Sequence, residues 1–144
     1  MRVSRRLDYG LRALVDLAIH GRTTTVFCRD IAARQGIPEA ILPRVLGDLA
    51  RAGWVRGTRG PGGGHQLLVD PAALAVRDVF IAIEGGWLGV HPHAARDAPA
   101  GSTAVVHALW HDMEGAALAY LDTVTIADLA RRSAPSGDDA EYAI

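Results

Sequence analysis

The fold of this chain is decided by residues 28–52, whose sequence is CRDIAARQGIPEAILPRVLGDLARA. Ile31 and Ala32 give residues 28–35 the apolar side of a short helix, which ends at Gly36. A stripe of apolar residues at helical spacing predicts a second helix over residues 39–52. Two helices joined by a turn that contains glycine form a helix-turn-helix, a motif whose second helix enters the major groove of DNA. The stripe of the second helix consists of Ile41, Leu42, Val45, Leu46 and Leu49.

The segments on either side extend this motif to a winged helix. Apolar residues recur at helical spacing from Leu7 to Ile19, so we expect a first helix over residues 5–20 with Ser4 as its N-cap. Residues 54–58 and 65–69 have the composition of short strands, and the six residues between them include four glycines. They predict a β-hairpin with a long, pliable tip. The expected fold class is therefore mainly α with a small β-hairpin.

The second half of the chain predicts a linker and a long helix. After a helix over residues 76–84, residues 85–102 are rich in Gly, Pro, Ala and His, which is typical of a mobile linker or a sensor loop. Residues 103–121 predict a long helix with Ser102 as its N-cap and with one broad apolar face. That face carries Val106, Leu109, Trp110, Met113, Ala117 and Tyr120.

We expect an apolar face of this size to be buried against another protein surface. The segment in front is filled by its own helices and hairpin, so we expect the same helix of a second chain to cover these six residues, which gives an isologous homodimer. A helix folded back on the core of its own chain remains the alternative. Thr125 is expected to cap a last helix over residues 126–132. The expected division is a DNA-binding domain (1–84), a linker (85–102), a dimerisation helix with a short terminal helix (103–132) and a disordered tail (133–144).

Composition and charge narrow the classes of protein. The chain has 144 residues, of which 49% are hydrophobic and 22% charged, an ordinary globular composition. It has neither a run of roughly 18 apolar residues nor the apolar core of a signal peptide, so we expect a cytoplasmic protein without a membrane partner. Residues 1–70 hold 11 Arg against 6 acids, whereas residues 71–144 hold 4 Arg against 10 acids. A front half of charge +5 and a rear half of charge −6 favour a polyanionic partner at the front.

The second helix of the motif offers few groups for reading bases. Glu39, Ala40, Pro43 and Arg44 are its early exposed residues, and only Arg44 carries the planar donor fork that matches guanine. A phosphate contact or simple solvation is the alternative role for Arg44. Pro43 would fall inside the predicted helix, where a proline costs about 3 kcal/mol, so the helix either begins later or kinks there.

The tip of the hairpin has the sequence RGPGGG, residues 59–64. Backbone without side chains can approach a narrow minor groove closely, so we expect Arg59 to be inserted there. A phosphate cradle for a nucleotide is the alternative, but the loop lacks a following Lys-Ser/Thr and leads into a strand. The residues expected to contact DNA are Arg2, Glu39, Arg44, Arg56, Thr58, Arg59, Gly60, Gly62, Gly63 and His65.

Three stretches of the chain resemble the Rrf2 family of winged helix-turn-helix transcription regulators. They are LDYGLRAL (residues 7–14), DIAARQGI (30–37) and RGPGGG (59–64), and the resemblance continues through VRDV (76–79), ALW (108–110) and TIADL (125–129). It therefore covers nearly the whole chain. It implies a homodimer crossed by the long carboxy-terminal helix, which binds an imperfect palindrome in operator DNA and usually represses its target genes.

Several members of that family sense through an iron–sulfur cluster, held by three cysteines before the long helix and by a variable fourth ligand. Ala98 and Ala104 lie about where two of those cysteines are expected, whereas Asp8 and His107 match two of the fourth ligands. Asp and His cannot replace three thiolates around sulfide-bridged iron, so we expect no cofactor. A cluster is expected only if Ala98 and Ala104 replace native cysteines, and a natural branch without a cluster is the other explanation.

Other metals and redox chemistry have weaker support. His91, His93, His107 and His111 lie in one region, and the last two are one helical turn apart, a spacing compatible with zinc. With Asp8 they are the candidate ligands, but solvated or capping histidines are commoner, so no metal site is expected. Cys28, the only cysteine, begins the predicted helix over residues 28–35, where the helix dipole would lower its thiol pKa and favour oxidation. A buried, inert cysteine is the interpretation that we favour over such a reactive thiol.

These observations favour a homodimeric regulator that binds double-stranded operator DNA. A helix-turn-helix used as a protein-interaction adaptor is one alternative, because Pro43 and Gly47 would weaken the recognition helix. A metal-responsive regulator that uses the loop histidines is another. An enzyme is not expected, since the sequence has no Ser/His/Asp set, metalloprotease signature or paired-carboxylate motif.

Overall fold

A computed structural model describes residues 3–60, 63–85 and 101–134. Within these ranges the chain is mostly helical, with one two-stranded antiparallel sheet. The fold class predicted from the sequence is confirmed. In chain order the elements are α1 (Arg5–His20), α2 (Cys28–Gln35), α3 (Leu42–Arg51), β1 (Val55–Thr58), β2 (Gly64–Leu67), a 3-10 turn (Pro71–Ala73), α4 (Val76–Glu84), α5 (Ser102–Asp122) and α6 (Ile126–Ser133).

Helix α1 is the centre of the packing. Its first turn is capped by Ser4, whose hydroxyl accepts the backbone N–H of Leu7 at 3.1 Å, and the N–H of Gly21 closes its last turn on the carbonyl of Leu17 at 2.8 Å. Side chains spaced along one face, such as Leu14 and Leu17, are fully buried. They contact α2, α3, α4 and α6, so α1 is the scaffold that holds the helix-turn-helix.

The hairpin of β1 and β2 is joined to the segment before α2. Val55 pairs with Leu67 and Thr58 with Gly64, which sets the register of the two strands. On the other side of β2, Val26 exchanges two backbone hydrogen bonds with His65, of 2.8 and 2.7 Å. The hairpin is therefore fixed to the amino-terminal end of α2 as well as to α3.

The carboxy-terminal helix α6 returns to this same core. Ile126 is fully buried, and α6 contacts α1 and the 3-10 turn. The N–H of Val76 bonds to the carbonyl of Val124 at 2.8 Å, and Thr125 with Asp128 forms the capping box of α6. The sequence division grouped α6 with the dimerisation helix, but its contacts are with the elements of residues 1–84.

Helix α5 differs from the other helices because none of its residues is buried. It begins one residue earlier than expected: Ser102 lies inside the helix and Gly101 is the N-cap, so the expected cap at Ser102 is wrong. Ala117, Leu118 and Leu121 pack against the core, whereas large apolar side chains elsewhere on the helix are exposed. No helix of the described residues is both long and apolar enough to span a bilayer.

Candidate nucleic-acid interface

A buried ion pair locks the two helices of the motif onto α1. Asp16 is fully buried and accepts hydrogen bonds from Arg34 Nε and Nη2 at 2.8 and 2.9 Å and from Gln35 Nε2 at 3.1 Å. The hydrogen bond with Asp16 raises the pKa of the Arg34 guanidinium. Arg12 adds a bond from α1 to the backbone carbonyl of Gln35, at the end of α2. Asp16 and Arg12 of α1 thus hold Arg34 and Gln35 at the end of α2, so these contacts help to fix how α2 packs on α1.

The recognition helix α3 begins later than the sequence predicted. Glu39 and Ala40 lie in a turn, closed by the N–H of Ile41 on the carbonyl of Pro38 at 3.1 Å, and the helix starts at Leu42. Pro43 therefore occupies the first turn, where its missing N–H is not needed and its fixed φ suits the helix. The prediction that this helix starts near Glu39 is wrong. Because Pro43 lies in the first turn, it neither kinks nor weakens α3.

One side of α3 is packed and the other is open. Leu42, Val45, Leu46 and Leu49 are buried. Arg44 and Arg51, seven residues apart and so on the same side, are exposed. Gly47 lies between them, and a Cβ added there would meet only a guanidinium nitrogen of Arg51 at 3.6 Å. The outer side of α3 therefore presents two arginines separated by backbone without a side chain.

Arg51 is a candidate contact residue that the sequence reasoning missed. It bonds to Asp48, which also accepts a hydrogen bond of 3.0 Å from Arg6 of α1. Arg44, by contrast, has no ion pair with any residue that the structure describes. The spacing of seven residues from Arg44 is a signal that could have found Arg51, whereas its link to Arg6 depends on the packing of α1 against α3.

Two glycines of the wing, Gly63 and Gly64, lie close to neighbouring backbone. A Cβ on Gly63 would lie 2.3 Å from the carbonyl oxygen of Thr58, and Gly63 N–H bonds to the carbonyl of Gly60 at 2.8 Å. Gly64, at φ +143°, has the carbonyl of Val26 at 2.8 Å from the same imagined atom. A Cβ at either position would meet backbone too closely, so glycine is favoured at both. The tip residue Arg59 is exposed, without an ion pair among the described residues.

The base of the wing carries further basic and polar groups. Arg56 Nη2 donates to Gln66 Oε1 at 3.2 Å, and Gln66 Nε2 donates to the backbone carbonyl of Arg22 at 3.0 Å. Arg29, in the first turn of α2, lies over the ring of Phe27 with 5.1 Å between Cζ and the ring centroid. The neighbourhood of the wing and the start of α2 is thus lined by arginines from three segments.

His65 sits in β2 opposite Gly57, and its ring lies 3.4 Å from the position that a Cβ on Gly57 would take. Its Nδ1 is buried and has no hydrogen-bond partner in the described residues. Burial lowers the pKa of His65 below its ordinary value of 6.5, so the ring is neutral at pH 7. Among the other expected DNA contacts, Thr58 and Gly60 lie in the wing, while Arg2 and Gly62 lie outside the described residues.

The candidate metal ligands that lie in the described part of the chain, Asp8, His107 and His111, form no cluster. Asp8 pairs with Arg12 at 2.7 Å, and His107 and His111 lie on α5. Within the ranges that the structure describes, no group of three or more His, Cys, Asp or Glu residues could hold a metal ion. His91, His93 and Ala98 lie outside those ranges, and Ala104 lies in the first turn of α5.

Cys28 is half-buried at the start of α2. Burial raises the pKa of its thiol, and the nearby carboxylate of Glu39 raises it further. The raised pKa does not support a reactive thiol at this helix start and agrees with the inert cysteine that the sequence analysis favoured. A less ionised thiol is a poorer nucleophile and a poorer metal ligand.

A helix-turn-helix with an open second helix, followed by an arginine-tipped wing, defines a winged-helix DNA-binding protein. The sequence signature of the Rrf2 family, described as iron-dependent transcriptional regulators, matches residues 3–132. The chain belongs to this family, as the resemblance of its motifs implied. Transcription regulators are not enzymes, so the expectation that the chain is not an enzyme is confirmed.

Relatives and solved structures agree with this assignment. The HTH-type transcriptional regulator IscR of Photobacterium profundum is 33% identical over 131 residues, which cover 91% of this chain and 76% of the relative. The structure of T. potens IscR has a TM-score of 0.74 at 27% identity, covering 96% of this chain and 95% of that one. The structure of CymR, the global cysteine regulator of B. subtilis, has a TM-score of 0.77 at 26% identity, covering 92% and 98%.

An iron–sulfur cluster of the family type does not fit the residues of this chain. Such a cluster needs three thiolates, and Cys28 is the only cysteine in the sequence. That cysteine lies in α2 with a raised thiol pKa, and not before α5. The family's description as iron-dependent therefore does not extend to a cluster bound by this chain's own thiolates.

Proposed function

We propose that this chain is a homodimeric repressor that acts in the cytoplasm and binds an imperfect palindrome in operator DNA. The observation that carries the proposal is the outer side of α3. There Arg44 is exposed and unpaired among the described residues, whereas the opposite side of the same helix is packed into the core. A helix held in this way can enter the major groove without changing its own packing.

Within the major groove, Arg44 is proposed to donate its two parallel N–H groups to guanine. Gly47 allows the backbone of α3 to approach the base edges closely, and Arg51 then reaches a base or a phosphate about two turns beyond Arg44. Glu39, in the turn before α3, is placed to accept from a cytosine amino group or to exclude other bases.

The wing and the start of α2 are proposed to hold the DNA backbone on both sides of that groove. Arg59 enters the minor groove. The backbone on either side of it approaches the DNA closely, and it consists of Thr58, Gly60, Gly62 and Gly63. The start of α2 has Phe27 as its N-cap, without a side-chain cap bond, so its backbone N–H groups can meet a phosphate. Arg2, Arg29 and Arg56 add positive charge, and the neutral His65 shapes the wing and adds no charge of its own.

Homodimerisation is proposed to use the apolar side of α5, with Val106, Leu109, Trp110, Met113, Ala117 and Tyr120 as the interface. Of these, Leu109 is 57% and Tyr120 63% exposed in the single chain. A two-fold dimer presents two copies of α3 to successive major grooves, which accounts for a palindromic operator. We retain the proposed division into a DNA-binding domain over residues 1–84 and a dimerisation segment over residues 103–132. Helix α6 follows the dimerisation helix in the chain but packs on the DNA-binding domain.

The adaptor alternative has lost one of its two grounds, because Pro43 lies in the first turn of α3 and does not weaken the helix, although Gly47 remains inside it. A metal-responsive regulator using the loop histidines would need His91 and His93, which lie outside the described residues. DNA binding without a bound metal is therefore the function that we test.

The test is fluorescence anisotropy with DNA from upstream of the chain's own gene, at several salt concentrations. The wild-type chain should bind with an affinity that falls steeply as salt rises. Arg44→Ala should weaken binding about tenfold to a hundredfold, from the loss of a bidentate base contact worth about 1–3 kcal/mol. Arg59→Ala should weaken binding most at A·T-rich sites with a narrow minor groove.

Arg132→Ala is the matched control, since it removes the same charge from an exposed position on α6. Its affinity should stay within about twofold of the wild type. Salt-insensitive binding, or equal losses for all three variants, would contradict groove reading by α3 and the wing.

A further inference from the structure

Asp48 joins the recognition helix α3 to α1 through two arginines. Its Oδ2 atom accepts a hydrogen bond of 3.0 Å from Nη2 of Arg6, in α1, and its Oδ1 atom accepts one from Nη2 of Arg51, in α3. The side chain of Asp48 is 13% exposed, whereas those of Arg6 and Arg51 are 47% and 72% exposed. The carboxylate is therefore enclosed by two guanidinium groups whose own side chains remain open to solvent.

The guanidinium of Arg51 lies back along α3. Its Nη2 atom is bonded to Asp48, in the preceding turn, and its Nη1 atom lies 3.6 Å from the position that a Cβ on Gly47 would take. The Cα atom of Arg51 is about two turns beyond that of Arg44, but its guanidinium is held about one turn nearer to Arg44 than that Cα atom. The charged group of Arg51 therefore lies over the one residue of the outer side that has no side chain.

Gly47 lies on the side of α3 that faces away from the core. With 3.6 residues per turn, it is about 150° around the helix from the mean direction of the four buried residues of α3. In a helix that enters the major groove, this outer side is nearest the base edges, and the flanks are nearer the phosphates. A guanidinium held over Gly47 is therefore placed to meet a base.

We propose that Asp48 is a positioning residue for sequence recognition, which holds Arg51 in place to bind one guanine in the major groove. The inference rests on the proposed function, in which α3 enters that groove, and it adds a second guanine to the one assigned to Arg44. Asp48 uses one N–H group of Arg51, and among the described residues the guanidinium makes no other hydrogen bond. Guanine offers the O6 and N7 acceptors, which match the donor fork that remains.

The carboxylate of Asp48 does not itself contact a base. An aspartate in the major groove accepts from the amino group of cytosine, but both oxygens of Asp48 already accept from arginines. Reading cytosine would require Asp48 to release both partners. An unpaired carboxylate at this place would also repel the DNA phosphates, whereas the three side chains together carry a net positive charge. Asp48 therefore acts on DNA through Arg51.

Holding the arginine before DNA arrives favours one sequence over others. A long side chain loses rotamer freedom when it is fixed against a base, and for Arg51 part of that loss has already occurred in the free protein. An arginine that moves freely can instead find a phosphate on any sequence, which favours non-specific binding. Because Arg6 holds the same carboxylate from α1, the place of the Arg51 guanidinium is fixed relative to the core of the domain.

Replacement of single guanines by 7-deazaguanine, which lacks the N7 acceptor, tests this assignment. Each guanine of a duplex from upstream of the chain's own gene is replaced in turn, and affinity is measured by fluorescence anisotropy. In the wild type, replacing the guanine bound by each arginine should weaken binding about tenfold. Arg44→Ala should abolish this loss at one guanine and Arg51→Ala at the other. Asp48→Asn should reduce the loss at the Arg51 guanine to about twofold and leave the loss at the Arg44 guanine unchanged.

Two further variants complete the test. Arg6→Ala breaks the same link from an exposed position on α1 without altering α3, and it should reduce the loss at the Arg51 guanine to about threefold. Asp122→Asn, at the exposed end of α5, removes the same charge as Asp48→Asn and should leave both losses unchanged. On a scrambled duplex, Asp48→Asn alone should bind more tightly, with a slope of log affinity against log salt that is steeper by about one.

The outcomes separate this inference from the proposed function. A wild-type chain that does not bind the duplex, or an Arg44→Ala variant that binds as the wild type does, would reject base reading by α3 itself. Equal reductions at both guanines in Asp48→Asn would mean that Asp48 only supports the helix, and would overturn its role as a positioning residue. Unchanged losses at both guanines in both Asp48→Asn and Arg6→Ala would overturn it too, while leaving the proposed function intact.

Discussion

Helices α3 and α5 both carry apolar residues at helical spacing, yet the chain uses them in opposite ways. Helix α3 has 10 residues, and four of its leucine and valine side chains are buried against α1 and β1. Helix α5 has 21 residues and buries none of them fully, although it carries more large apolar side chains. The apolar side of α3 builds the domain, whereas that of α5 remains available after the domain is complete.

The comparison teaches that a helical apolar stripe predicts burial but not the partner. In α3 the stripe is matched by an outer side with arginines and a glycine, which is the pattern of a helix that faces a polyanion. In α5 the opposite side carries the acids and histidines of the helix and no arginine, so it lacks the pattern of a helix that faces a polyanion. The predictions below set matched substitutions in the two regions against each other.

The largest difference is expected for leucine truncation. Leu46→Ala should lower the free energy of unfolding by about 3 kcal/mol, because Leu46 is 1% exposed and truncation leaves a cavity. Leu109→Ala, at 57% exposure, should change the stability of the single chain by less than about 0.5 kcal/mol. Urea unfolding at two protein concentrations separates the cases, since only the Leu109 effect should depend on concentration. Equal losses would remove the contrast between the helices.

The second difference concerns two ion pairs of α1. Asp16→Asn should destabilise the fold by about 2 kcal/mol, because it removes the buried charge that holds Arg34. Asp8→Asn breaks a pair whose side chains are 53% and 37% exposed, and should cost less than about 0.5 kcal/mol. Thermal unfolding measures both. A small effect at Asp16 would mean that Gln35 and solvent replace the ion pair.

The third prediction is that replacing glycine by alanine changes the free energy of unfolding in opposite directions in the wing and in α5. Gly63→Ala should destabilise the wing by about 1–2 kcal/mol, because the new Cβ would clash with the carbonyl of Thr58. Gly115→Ala, inside α5 with nothing within 4 Å, should stabilise by about 0.5–1 kcal/mol through the loss of backbone freedom in the unfolded chain. Hydrogen exchange of β1 and β2 should accelerate in Gly63→Ala only. A stabilising Gly63→Ala would show that the tip can rearrange.

The smallest effect is expected from pH. The pKa of His65 is lower in the folded chain than its ordinary value of 6.5, so the unfolded chain binds more protons as pH falls below that value. Stability present above pH 6.5 should therefore be lost as pH falls through the folded pKa. His65→Gln should flatten this dependence when unfolding is compared at pH 7.5 and 5.5. An unchanged slope in the variant would assign the dependence to other groups.

Much of the fold followed from local pattern. The bounds of α1, α2 and α4 agree with the periodicity and the caps, because Ser4, Gly36 and Gly85 act within one turn of the residues that they close. The start of α3 was missed, since the stripe of apolar residues runs on through Ile41 into the turn. Proline at position 43 was itself the signal for a later start, because proline suits the first turn of a helix.

The candidate site was predictable in part. Arg44 and Arg59 were found from the helix-turn-helix and the glycine loop, and the structure leaves both exposed. Arg51 was missed although its spacing from Arg44 was visible. The raised pKa of the Cys28 thiol does not follow from its place at a helix start, because it depends on burial and on Glu39, which the turn before α3 brings near.

The sequence by itself determined the helix-turn-helix, the hairpin and the family, because these follow from local periodicity, capping and short motifs. Only the tertiary structure decided that α6 packs on α1 and that Asp16 binds Arg34. It also decided that large apolar side chains of α5 remain exposed beside an apolar cavity. These features join residues far apart in the chain. Their energies come from burial and from charge pairing between elements, which no local pattern records.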